Sequence, residues 1–252
     1  MRLADALASA PFTLCMSSGF FGFYAHAGML SALIESDLRP ARVVGSSAGA
    51  LIGGCYATGL STDALRELLV GLRRTDFWDP SPGAGLLSGR RMDALLREAL
   101  PVHRFDELQT PFACSAWRVR TRQTEVLDKG DLPAAIRASA AFPGLFQPVR
   151  VAGGHYLDGG IADRPAFAPL AAGERTLYHH LASKSPWRRG EGTQMLAPSR
   201  ADTITLDLGE LPRLGPFRLE QGGQAMDLAR ERTLRALELP AKSQAAWLER
   251  TT

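Results

Sequence analysis

Five residues early in the chain, Gly45-Ser46-Ser47-Ala48-Gly49, fit the pattern G-x-S-x-G, in which a serine sits on a tight strand-to-helix turn flanked by residues small enough to permit it. There the Ser47 hydroxyl lies beside a helix N-terminus, whose unpaired N–H groups and dipole favour developing negative charge. That is the setting of an acyl-transfer nucleophile. A serine hydroxyl is weak at neutral pH and needs a base within hydrogen-bond reach. Asp158 stands in Tyr156-Leu157-Asp158-Gly159-Gly160, at the end of an apolar strand-like run, before two glycines that let backbone or substrate approach closely. A carboxylate there can accept the serine proton. An Asp-Gly pair can equally serve its own turn, so Asp158 gains its weight from Ser47. Histidine is the rival base: His179 and His180 follow in the order serine, acid, histidine of an α/β-hydrolase triad, but Tyr178-His179-His180-Leu181 reads as a strand.

These residues need elements to carry them. Pro11 to Ser17 is a short apolar run suited to a buried strand, followed by the loop Ser-Ser-Gly-Phe-Phe-Gly-Phe-Tyr. Helical spacing follows from Ala25 to Ile34. Ala41 to Val44 reads as a second strand that turns through the serine motif directly into a helix. Two amphipathic helices are predicted near Thr62 to Arg74 and Met92 to Leu100, with a Gly- and Pro-rich loop between them suited to covering a site. Phe112 to Leu127 reads as a hairpin, and Leu132 to Ala140 as a helix capped by Asp131. Leu145 to Val151, His155 to Leu157, Thr176 to Leu181 and Thr203 to Leu208 read as strands, and a last helix runs from about Leu219 to Leu237. Alternating strands and helices predict an α/β fold of three layers, with a mainly parallel central sheet and helices on both faces. No linker divides the chain, so residues 1–252 are expected to form a single domain, with 168–252 completing it.

With 252 residues, 45% of them hydrophobic and 22% charged, and a mean hydropathy of -0.07, the composition is that of a globular domain. No nucleic-acid module is present. A formal charge of +3 and arginine pairs at Arg73-Arg74, Arg90-Arg91 and Arg188-Arg189 read as solvated faces, and would also favour peripheral contact with an anionic membrane surface. Cys15, Cys55 and Cys114 lie far apart in apolar surroundings and read as buried free thiols; no metal site and no cofactor is expected. Neither a signal peptide nor a spanning segment is read from the chain, which gives a cytoplasmic protein, peripheral to membranes at most.

Three blocks in order, Gly-Ser-Ser-Ala-Gly-Ala-Leu from Gly45, Ala-Ile-Arg-Ala-Ser-Ala-Ala-Phe-Pro-Gly-Leu-Phe-Gln-Pro-Val from Ala135, and His-Tyr-Leu-Asp-Gly-Gly-Ile-Ala-Asp-Arg-Pro from His155, resemble the successive signatures of patatin-like phospholipases. The resemblance covers about Phe12 to Phe167 and implies a lipid or acyl ester as substrate. It also implies a Ser-Asp dyad without catalytic histidine, here Ser47 and Asp158, and a glycine-rich loop after the first strand whose backbone forms the oxyanion hole. Ser17 to Gly22 occupies that place, with Ser18, Gly19 and Phe20 as the donors. It departs from the family pattern where Ser17 and Ser18 replace glycines and Phe21 replaces arginine, while Gly19 and Gly22 keep their places. Of Phe20, Phe21, Phe23 and Tyr24, at least two are expected in the core and the others along an acyl-chain pocket. His26 is expected to pack and cap. The same dyad could serve an acyltransferase or transacylase, or a noncatalytic lipid-binding or partner-binding module could keep the fold.

Overall fold

A computed structural model describes residues 1–182, 196–209, 211–212, 214–241 and 246–247. In chain order the elements are α1 (Leu3–Ala8), β1 (Thr13–Met16), α2 (Phe23–Glu35), β2 (Arg42–Ser46), α3 (Ala48–Ala57), α4 (Thr62–Gly71), β3 (Gly85–Leu87), α5 (Arg90–Ala99), β4 (Phe112–Arg118), β5 (Gln123–Leu127), α6 (Leu132–Ser139), β6 (Gly144–Phe146), β7 (Val149–Val151), β8 (Gly154–Asp158), β9 (Thr176–His180), β10 (Thr203–Asp207), α7 (Gly222–Glu238) and β11 (Ala246–Trp247). Local chemistry sets several boundaries. Ser61 caps α4 by accepting from the Ala64 N–H at 3.1 Å, and Asp131 caps α6 by accepting from the Ala134 N–H at 2.8 Å.

The fold is α/β, with a mainly parallel central sheet flanked by helices. Among the described residues nine strands form this sheet, in the order β11-β10-β9-β1-β2-β4-β8-β7, with β5 also paired to β4. From β11 to β4 the neighbours are parallel, whereas β5, β7 and β8 pair antiparallel. Strand β4 is the hinge of the arrangement. One of its edges carries β5; on the other, Phe112 to Ser115 pair with β2 and Ala116 to Arg118 pair with β8. Because β2 runs parallel to β4 and β8 antiparallel, their C-terminal ends point at each other. Ser46 lies opposite Ser115 and Asp158 opposite Ala116, so two segments more than a hundred residues apart meet at adjacent positions of one strand.

The sheet's faces alternate with the pleat. One carries Leu14, Met16, Val43, Phe112, Cys114 and Leu177 in the large core, with Ile52 of α3, Ile136 of α6 and Met226 of α7. The other carries Cys15, Val44, Ala113 and Tyr178 and meets Ala166, Phe167 and Leu170, which follow the 3-10 turn Gly159–Ile161. All three cysteines are free and buried. Arg73, Arg74, Arg90 and Arg91 are exposed, as expected of a solvated face; Arg188-Arg189 lies outside the described residues. Among these residues no helix is long and apolar enough to cross a membrane.

Candidate active site

The turn from β2 into α3 holds Ser47 at φ 53° and ψ -112°, a left-handed conformation that costs a side-chain-bearing residue about 1–3 kcal/mol. Close packing enforces it. A Cβ on Gly45 would stand 2.3 Å from the Gly49 carbonyl carbon, and one on Gly49 would stand 2.1 Å from the Met16 carbonyl oxygen. The Ser47 N–H donates to Ser139 Oγ at 2.9 Å, and Ser139 Oγ in turn donates to the Ser115 carbonyl at 2.7 Å. Ser139 thus ties the elbow to β4 through α6. It lies within the second sequence block, but its type and spacing alone give it no role.

Ser47 Oγ donates to Asp158 Oδ2 at 2.6 Å, while the Gly160 N–H donates to Asp158 Oδ1 at 2.7 Å. One carboxylate oxygen is therefore held by backbone and the other faces the hydroxyl. Asp158 is buried, and that burial pushes its carboxyl up to about 6, against the two hydrogen bonds that favour the anion. The glycines after it are needed for space: a Cβ on Gly159 would lie 2.2 Å from the Ser115 carbonyl oxygen, and one on Gly160 would lie 2.3 Å from Ser18 Oγ.

Gly19, Phe20 and Ser18 border the same cavity as Ser47 and Asp158. The Ser18 N–H, expected among the oxyanion donors, is corrected: it donates to the Arg164 carbonyl at 2.7 Å and is committed there. The Gly19 carbonyl accepts from the Gly22 N–H at 2.9 Å, which turns the opposite end of that peptide, the Phe20 N–H, away from the loop's own turn. Gly19 and Phe20 line the cavity with Ser47 and Ala48, at the N-terminus of α3.

The cavity encloses about 740 Å³. Its walls are mainly aliphatic and aromatic, with Leu51, Leu69, Phe77, Leu96, Phe142 and Phe146 among them, and Asp158 and Arg164 supply its charge. Phe20, Phe21 and Phe23 all line it, and half-buried Phe23 also packs against the core beside Tyr24, so two of the four aromatics pack in the core as expected. Tyr24 alone is fully buried, its hydroxyl donating to the Leu69 carbonyl at 3.2 Å. The Gly- and Pro-rich loop before α5 does not line the cavity. It contributes β3, which pairs with β6 behind the lining residues Leu145 and Phe146.

Neither His179 nor His180 borders this cavity. His179 Nδ1 lies 2.8 Å from His26 Nδ1, and His180 Nδ1 lies 3.0 Å from the Tyr178 hydroxyl. Burial pushes His179 well below the usual imidazole range. His26 is packed, as expected, but it caps nothing: Gly22 is the N-cap of α2, and the ring lies one turn inside.

Residues 14–171 match the family model described as patatin-like phospholipase. An uncharacterised NTE family protein of Mycobacterium tuberculosis is 33% identical over 161 residues, which make up 63% of this chain and 45% of that protein. A lysophospholipase NTE1 of Mycosarcoma maydis is 27% identical over 186 residues, covering 70% of this chain and 10% of that protein. The chain thus spans less than half the length of these relatives. Among solved structures, VipD from Legionella pneumophila superposes with a TM-score of 0.65 at 15% identity, over 90% of this chain and 66% of that one. The type III effector ExoU gives 0.50 at 17% identity, over 91% and 54%. At such identities the likeness is one of fold.

Proposed function

The chain belongs to the patatin-like phospholipase family, and on that premise we propose that it hydrolyses carboxylic esters of lipids through an acyl-enzyme on Ser47, with Asp158 as the base. The observation that carries this reading is the 2.6 Å bond from Ser47 Oγ to a buried carboxylate at the edge of a large apolar cavity. As Ser47 Oγ attacks the ester carbonyl, its proton passes to Asp158 Oδ2. The oxyanion forms against the Gly19 and Phe20 N–H groups and the positive end of α3. Asp158 then returns the proton to the departing alcohol, leaving the acyl group on Ser47. A water deprotonated by Asp158 attacks that ester, the fatty acid leaves, and the proton returns to Ser47. No imidazole is needed, because a carboxyl near 6 holds and releases a proton close to neutral pH.

An acyl chain supplies what the cavity's walls would bury, at about 0.8 kcal/mol per methylene. Phe20 and Ile161 both line the cavity and are each 43% exposed, a pair of apolar side chains suited to resting on a lipid surface while a chain enters. The expected kinetics are specific: Ser47→Ala and Asp158→Asn each reduce acyl-ester turnover by at least about 1000-fold, with circular dichroism unchanged, whereas His180→Ala stays within a few-fold of the parent. An Asp158→Asn enzyme that retained its turnover would remove Asp158 as the base.

A further inference from the structure

Below the loop that borders Ser47 lies a chain of buried hydrogen bonds that the reaction above does not use. His26 Nε2 stands 2.8 Å from the Ser17 carbonyl oxygen, and His26 Nδ1 stands 2.8 Å from His179 Nδ1. Both imidazoles are fully buried. A carbonyl oxygen only accepts, so His26 Nε2 carries the hydrogen. A neutral imidazole has one N–H, so His26 Nδ1 is bare and accepts from His179 Nδ1–H. That leaves His179 Nε2 without a hydrogen, and this nitrogen is indeed buried with no partner among the described residues. The bonds therefore define one tautomer for each ring.

The far end of this chain is the Ser17–Ser18 peptide. Its carbonyl is held by His26, and its N–H donates to the Arg164 carbonyl at 2.7 Å. The Ser17 hydroxyl also accepts from the Leu181 N–H at 3.0 Å. The peptide is clamped at both ends immediately before Gly19 and Phe20, which border the cavity, so its orientation sets how the chain enters the two peptides that carry their N–H groups. We propose that His26, oriented by His179, is a positioning residue that fixes the Ser17–Ser18 peptide and through it the oxyanion donors of the following two residues. The proposal rests on reading this loop as the oxyanion hole. It concerns His26 alone; the base remains Asp158.

Two substitutions divide the ring's two contacts. His26→Gln places an amide nitrogen near the Nε2 position and keeps a donor for the Ser17 carbonyl, whereas His26→Asn keeps a group near Nδ1, facing His179, and lets the carbonyl go. If His26 acts only in packing, the two differ by the one methylene that Asn lacks, which lowers stability in His26→Asn and leaves kcat and the orientation of the Ser17–Ser18 peptide unchanged. The expected result is a kcat for acyl-ester hydrolysis about 100-fold below the parent in His26→Asn, the usual cost of a lost oxyanion donor, with KM within about threefold, and His26→Gln within about tenfold of the parent. Equal losses in the two variants, or a change in KM without one in kcat, would overturn the proposal. Crystal structures of both variants decide it independently of turnover: the Ser17–Ser18 peptide should rotate in His26→Asn and keep its orientation in His26→Gln, and an unmoved peptide in His26→Asn refutes the clamp. An inert parent enzyme would defeat the proposed reaction, while the peptide orientation would still test His26.

Discussion

In the proposed reaction Asp158 acts as an anion in a place that disfavours one. Its carboxyl, displaced from 3.8 to about 6 by burial, sets two expectations of opposite kind. Turnover needs the carboxylate, so kcat should rise with pH through about 6 and level above it; a profile flat from pH 5 to 8 would detach the base from this group. Stability runs the other way. Because the folded-state value lies above the unfolded one, this group's contribution is fully present below about 3.8 and is lost as pH rises through about 6. At pH 7 the ionised carboxyl therefore costs the fold about 3 kcal/mol. Asp158→Asn should accordingly unfold at higher urea than the parent at pH 7 and at similar urea near pH 3.5, while being inactive. A variant less stable at pH 7 would show that the charge is accommodated without cost. At this scale the sequence was legible where chemistry left a local signature: Ser47 in its glycine frame, Asp158 before paired glycines. The Ser18 N–H, Ser139 and the His26–His179 contact were not legible, because their partners, Arg164, Ser115 and one another, are brought by the fold and leave no spacing to read.

The elements carry the same division between local and distant causes. Helices α4 and α6 begin where Ser61 and Asp131 cap them, and the hairpin expected over Phe112 to Leu127 is β4 with β5. By contrast α1 was not foreseen, since Leu3–Ala8 is short and its burial comes from contacts such as the Leu3 N–H donating to the Leu239 carbonyl at 2.8 Å. Nor was the head-to-head meeting of β2 and β8 on β4, which follows from strand direction and not from any residue's propensity. The elbow itself yields a sharp comparison. A Cβ on Gly49 meets the backbone of β1 at 2.1 Å, whereas one on Gly22 meets the movable Cδ1 of Leu181 at 2.3 Å. Gly49→Ala should lower the unfolding free energy by at least about 3 kcal/mol, and Gly22→Ala by about 1 kcal/mol or less, because backbone cannot yield as a side chain can. Urea titrations of both variants measure the difference, and equal losses would contradict the packing described.

At the scale of the molecule, α7 lies beyond residues 14–171, where the family model ends, yet it is fastened to α2 inside that region. A Cβ on Gly28 of α2 would stand 2.1 Å from the Met226 carbonyl of α7. Arg230 of α7 also pairs with Glu35, and Asp227 with Arg66 of α4. We therefore expect one cooperative unit: ester turnover and near-ultraviolet circular dichroism should be lost at the same urea concentration, and two separated transitions would break the chain into independent parts. The central claim is that this folded unit presents Ser47 as its acyl-accepting nucleophile. Its most direct test is incubation of the protein with a fluorophosphonate bearing an alkyl chain, followed by intact-mass measurement and peptide mapping. The expected result is a single adduct on Ser47 that accumulates as ester turnover disappears, with none in Ser47→Ala; an adduct on another residue, or turnover that survives full labelling of Ser47, would contradict it.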